Sequence, residues 1–192
     1  MKINFIHSEV YDEMLTAMHK EEFNEILELE TLKYKEGLVS FWKKDENKII
    51  KEIEKVSKLR FKSNQDCFVV SHMKYTAISN PLTVRRDDNL TMVRATLIHE
   101  IIHILMCENN KILSKLIDKT YPDESRDFKI HIPVLLIARR VLENIYGKEE
   151  YEKVLHRDSR LENLREVWPT ANSIYYKFNN DIVKFLKNEK LN

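Results

Sequence analysis

Met92-Val-Arg-Ala-Thr-Leu-Ile-His-Glu-Ile-Ile-His-Ile-Leu-Met-Cys107 is the stretch that organises the chain. It is long and apolar almost all round, as a helix buried on most faces must be. Beyond Arg94 and Thr96 near its start, its polar side chains are His99, Glu100 and His103. Burying a lone carboxylate and two imidazoles is costly unless something compensates them. Four residues separate the two histidines, so both project from one helical face. Neutral imidazole is a good zinc ligand, and two on adjacent turns can fill two corners of a tetrahedron. Glu100 stands beside that position without ligating it, where it can take a proton from a metal-activated water. The pattern is His-Glu-x-x-His.

Upstream, Asp87, Asp88 and Asn89 can cap this helix, expected from Leu90 to Cys107. Before them come two β-prone runs. One is Asp66 to His72 around Cys67-Phe68-Val69-Val70. The other is Tyr75 to Arg86, where an internal Pro81 predicts an edge or bent strand. Earlier still, two helices are expected, Ser8 to Glu36 (with Phe23 among its apolar positions) and Ser40 to Lys58, the second capped by Ser40. Downstream, the polar residues Glu108, Asn109 and Asn110 close the central helix. A short helix follows, Lys111 to Lys119, then a loop, Tyr121 to Asp127. A further helix covers Ile130 to Tyr146 and stops at Gly147. Lys148 to Asn192 reads as two helices broken near Trp168-Pro169.

Only Gly37 and Gly147 supply glycine, which argues against phosphate loops and Rossmann-type turns. The expected organisation is one domain over 1–192, with N-terminal helices (1–60), a sheet with the site helices (61–147) and C-terminal helices (148–192). The fold class is α+β and helix-rich, with a small sheet packed on the central helix. The formal charge of +1 gives no global field to draw in nucleic acid or membrane, so neither is expected as a partner. Cys67 and Cys107 lack metal-type spacing and read as reduced thiols. Met1 to Val10 does not read as a signal peptide, and no apolar stretch is expected to approach the ~20 residues a membrane span needs. A cytoplasmic location is the expectation. Oligomeric state is left open.

Thr96-Leu97-Ile98-His99-Glu100-Ile101-Ile102-His103 resembles the active-site helix of the zincin metallopeptidases. The likeness extends loosely to Ser79-Asn80-Pro81-Leu82-Thr83-Val84-Arg85. It implies a zinc-dependent hydrolase acting on a peptide or protein substrate. It also implies an edge strand that pairs with extended substrate. No closer family is indicated. The metzincin His-x-x-Gly-x-x-His extension is absent, since Met106, Glu108 and Asn109 stand beyond His103. A thermolysin-type Asn-Glu pair is not recognisable.

A catalytic zinc commonly takes a third protein ligand. His131 is preferred, because it lies in line with the apolar stripe Val134, Leu135, Ala138, Leu142 and Ile145. Were Pro133 the start of that helix, His131 would sit just outside it. Glu143 is the runner-up, with a surface ion pair to Arg139 as its alternative occupation. Asp123, Glu124, His72 and His156 follow. Tyr75, Tyr121, Tyr175 and Tyr176 are candidates to steady an oxyanion. The expected chemistry is peptide hydrolysis with Zn²⁺ on His99, His103 and His131, and Glu100 as general base and then acid. The alternatives are a catalytically inactive zincin-fold metal-binding or protein-interaction module, and hydrolysis of another amide or an ester.

Overall fold

The computed structural model describes residues 1–18, 24–110 and 115–177. Its elements are β1 (Ile3–Ile6), α1 (Glu9–Met18), α2 (Glu25–Lys43), α3 (Glu46–Ser57), β2 (Gln65–Val70), β3 (Ala77–Ser79) and β4 (Leu82–Arg85). Then come α4 (Leu90–Glu108), α5 (Lys115–Thr120), α6 (Arg126–Tyr146), α7 (Lys148–Asp158), α8 (Glu162–Arg165) and α9 (Val167–Lys177). The class is α+β, with four strands in one small sheet. Phe23, the first four residues of the expected helix at 111–119, and 178–192 lie outside the described residues.

The chain divides into two compact units. One is Met1–Asn47 with Lys62–Ile104; the other is Lys48–Phe61 with Leu105–Asn192. Divisions fall inside α3 and α4.

The first unit is built around the sheet, whose strand order is β1-β2-β4-β3. β1 and β4 both run parallel to β2, and β3 runs antiparallel to β4. Proline works here differently from the expectation. Pro81 does not bend one long strand. It sits in the turn between β3 and β4, after a cis peptide bond to Asn80. A residue without an amide hydrogen fits a turn better than a ladder. β3 is therefore an edge strand, as β1 is on the other side, and β4 is interior.

In-register residues of neighbouring strands share a face. Phe5, Cys67, Val69 and Val84 form one face. Phe5 meets Trp42 of α2 edge to face, with ring centroids 6.3 Å apart. Phe68, Val70 and Ile78 pack on the other face with Tyr11 and Leu15 of α1. Tyr11 also reaches the Thr83 hydroxyl at 3.2 Å. α1 is fastened by Asp12, which is fully buried and accepts the amide hydrogens of Ser71 (2.8 Å) and His72 (3.3 Å). Asp12→Ala leaves both amides unpaired and should destabilise the protein by about 2–3 kcal/mol. The expected signature is a lower urea midpoint at unchanged slope.

The boundary between α2 and α3 falls later than Ser40. That hydroxyl bonds the Glu36 carbonyl inside α2 instead of capping a new helix. The real break is a turn at Lys44–Asp45, fixed by tertiary contacts of Glu46. Its buried carboxylate accepts from the Ile3 amide (2.9 Å) and the Trp42 indole (3.1 Å).

α4 starts where expected, with the Asn89 side chain accepting the Met92 amide. Contrary to the expectation, this helix is long and apolar enough to cross a membrane by length and composition. More than half of the apolar stretch is buried in the protein. Along it Leu97, Ile98, Ile101, Ile102 and Leu105 are at 0% exposure.

In the second unit, α6 begins four residues before the expected start. Ser125 is its N-cap and accepts the Phe128 amide at 3.1 Å. Pro133 is thus inside the helix, where it removes one backbone hydrogen bond. α7 and α9 pack on α6. The C-terminal break falls at residues 159–161, while Trp168 and Pro169 lie in the first turn of α9, where proline is tolerated.

Candidate metal centre

His99 and His103 stand one turn apart on α4, and their rings turn toward each other. The two Nε2 atoms are 3.0 Å apart, with ring centroids at 4.8 Å and planes inclined by 60°. Two imidazoles on a tetrahedral zinc, each about 2.0–2.1 Å from it, place their nitrogens roughly 3.3 Å apart. The pair therefore already has close to the bite such an ion requires.

Glu100 is partly covered, and its neighbourhood is apolar. Among the described residues no group donates a hydrogen bond to its carboxylate. Burial alone raises its carboxyl to about 7. A cation close by would favour the charged form and pull that value back down. Cys67 of β2 lies within electrostatic reach. Its own burial, and then the Glu100 charge, push the thiol far above the ordinary cysteine range. Cys67 itself is fully buried, at 0% exposure. Nothing in its spacing from the motif indicated that neighbourhood.

His131 lies in the second turn of α6 and is 7% exposed. Its Nδ1 is 2.9 Å from the Asp127 carbonyl and 3.4 Å from the Asp127 carboxylate. An Nδ1–H donated to that carbonyl makes Nε2 the lone-pair nitrogen, a common arrangement for metal-ligating histidine. Asp127 was not legible from the sequence, because the helix was expected to start at Ile130 and a four-residue step back falls before that start. His99 and His103 belong to the first unit and His131 to the second, and each offers a ring nitrogen.

No family model, curated protein or solved structure matches this chain.

The other candidate ligands are placed elsewhere. Glu143 does pair with Arg139, at 2.9 Å, but the pair is buried and not on the surface, with side-chain exposures of 16% and 6%. The second oxygen of Glu143 accepts from the Tyr175 hydroxyl. Both oxygens are thus committed. Asp123 and Glu124 are exposed on the loop before α6, and His156 is exposed on α7 beside Arg160. His72 follows β2, with Nδ1 2.8 Å from the Ser71 hydroxyl. Of the tyrosines, Tyr175 and Tyr176 are engaged with Glu143 and Arg139. Tyr121 packs on Phe128 with ring centroids 5.9 Å apart. Tyr75 is exposed beside Lys74.

Proposed function

We propose that this chain is a zinc-dependent metallopeptidase with His99, His103 and His131 as ligands and Glu100 as general base. The observation that carries the reading is the juxtaposition on α4 of two imidazole nitrogens 3.0 Å apart with a half-covered carboxylate that no described group pairs. A folded core seldom retains such a carboxylate without use for it. The donor set suits the group. Three neutral imidazoles fit zinc, and three protein ligands leave a position open for chemistry.

When bound, zinc would supply Lewis acidity, making a coordinated water acidic and polarising a carbonyl oxygen. The protein's own residues do the rest. His99 and His103 are fixed by consecutive turns of a buried helix, so their bite is rigid. The Asp127 carbonyl holds the His131 ring in its orientation and tautomer. Glu100 takes the water proton as the carbonyl is attacked and then hands it to the departing amine. β3 supports a polypeptide substrate, because it lies at the edge of the sheet immediately before β4 and α4. An extended peptide can add to such an edge through main-chain hydrogen bonds.

Metal content measured by elemental analysis tests the ligand set. Wild type is expected to carry about one zinc per chain, the stoichiometry of a single three-ligand site. His103→Ala and His131→Ala should lose it, and Glu143→Ala should keep it. Metal-free wild type after zinc has been supplied would overturn the reading. Zinc that persists in His131→Ala would remove that residue from the set.

A further inference from the structure

Lys48, Lys51 and Lys55 of α3 and Lys58 just past its end recur at steps of three, four and three, and all four are exposed. At 1.5 Å per residue the row is about 15 Å long. It runs into a surface concavity of about 350 Å³ lined by Lys51, Glu54, Lys55, Lys58 and Arg60. Lys58 closes the helix with a left-handed φ of 57° and an amide bond to the Glu54 carbonyl. The chain then turns so that Arg60 comes back over Glu54.

Two carboxylates stand among these cations and each offsets one of them, Glu52 pairing with Lys55 and Glu54 with Arg60, which leaves Lys48, Lys51 and Lys58 as the surplus charge. Glu54 accepts from the Arg60 guanidinium at 2.6 Å and from the Phe61 amide at 3.1 Å. Glu52 accepts from Asn144 at 2.7 Å and from Lys55 at 3.2 Å. Lys51 and Lys58 have no ion-pair partner among the described residues. A helix dipole explains lysines at its C-terminal end, as with Lys55 and Lys58. It disfavours them in the first half, where Lys48 and Lys51 stand. The even net charge of the chain is an average that hides this row.

We propose that this face of α3 binds the phosphate backbone of nucleic acid without reading its sequence. The row is too long for one phosphate group and suits a repeating anion. None of the residues lining the concavity is aromatic or apolar, and the Tyr146 ring beside the row is already covered by the Lys48 ammonium, 5.9 Å from its centroid. A membrane is a poorer match, because an interfacial helix needs apolar side chains to insert. Those of α3, Ile49, Ile50 and Ile53, are buried in the protein.

The test is fluorescence anisotropy of a labelled single-stranded DNA of twenty nucleotides titrated with the full chain at several salt concentrations. Binding at low salt is expected, with log K falling against log salt at a slope of about 2 to 3, as three or four phosphate contacts predict. Lys51→Glu combined with Lys58→Glu should weaken it by roughly tenfold or more at low salt. Lys119→Glu, an exposed lysine away from the row, should leave it unchanged. The thermal transition of the double variant should match wild type, since the substituted side chains hold nothing in place. No binding by wild type, or binding untouched by the double variant, would overturn the proposal. So would equal affinity for polyglutamate, or binding to phosphatidylserine vesicles in place of the strand.

Discussion

Glu100→Gln is expected to keep its zinc and lose hydrolysis of a quenched-fluorescence peptide library by about a hundred- to ten-thousandfold, the range for a positioned acid–base group. Glutamine has nearly the same shape and cannot accept the proton. Among the described residues no hydrogen bond to the Glu100 carboxylate exists to be broken, and both imidazoles remain on their turns. Fold and metal content should therefore match wild type, so that only the proton transfer is removed. Glu100→Asp keeps the chemistry but draws the carboxylate back by one methylene, and its rate should fall between the two. A Glu100→Gln protein that turns over as fast as wild type would remove Glu100 from the mechanism. A zinc-loaded wild type that cleaves no peptide would favour the metal-binding module instead.

Arg139→Ala is expected to cause the largest loss of stability, about 3–5 kcal/mol, because it strips Glu143, 16% exposed, of its counter-charge and removes every other contact of a guanidinium that is 6% exposed. The Arg139 guanidinium donates to Glu143, to the Asn172 side-chain carbonyl at 2.7 Å and to the Tyr176 hydroxyl at 3.1 Å. It also stacks 3.7 Å from the ring centroid of Tyr175 and 4.9 Å from that of Tyr151. One side chain thus ties α6 to both α7 and α9. At 2–4 °C per kcal/mol for a chain of this size, the melting temperature should drop by roughly 6–20 °C. Replacing both partners, Arg139→Met with Glu143→Met, should recover much of that loss, since the penalty belongs chiefly to the stranded charge. A single variant within 1 kcal/mol of wild type would mean that solvent screens the pair. A double variant as unstable as the single would mean that packing of the guanidinium, and not charge, holds α9.

What was legible in the sequence was what local pattern determines. α4 announced itself by length and apolarity, and its capping residue was in place. The histidine spacing needed only helical geometry. β2 was visible as a β-branched and aromatic run. β1 was not, because four residues carry too little alternation to stand out and its partner is distant in sequence. Ser40 has the chemistry of a cap, yet the helix boundary is drawn by Glu46, whose bond from the Ile3 amide spans 43 residues and lies outside any local window. The start of α6 was read at Ile130, with Pro133 as a conditional alternative because proline is common there, whereas Ser125 caps the helix ahead of both. Glu143 was matched to the right arginine but assigned to the wrong environment. Burial of that pair depends on Tyr151, Tyr175 and Asn172, which come from later helices.

The pairing of β1 with β2 sets a timing problem during synthesis. Ile3 pairs with Gln65, 62 positions further on. At 5–20 residues per second, the strand waits on the order of 3–12 s after leaving the ribosome before its partner follows. Through that interval Ile3 and Phe5, both destined for the core, have no sheet to join. The nascent chain is then most open to off-pathway association, and a chaperone that shields short apolar segments would raise the yield of folded protein without changing its final stability.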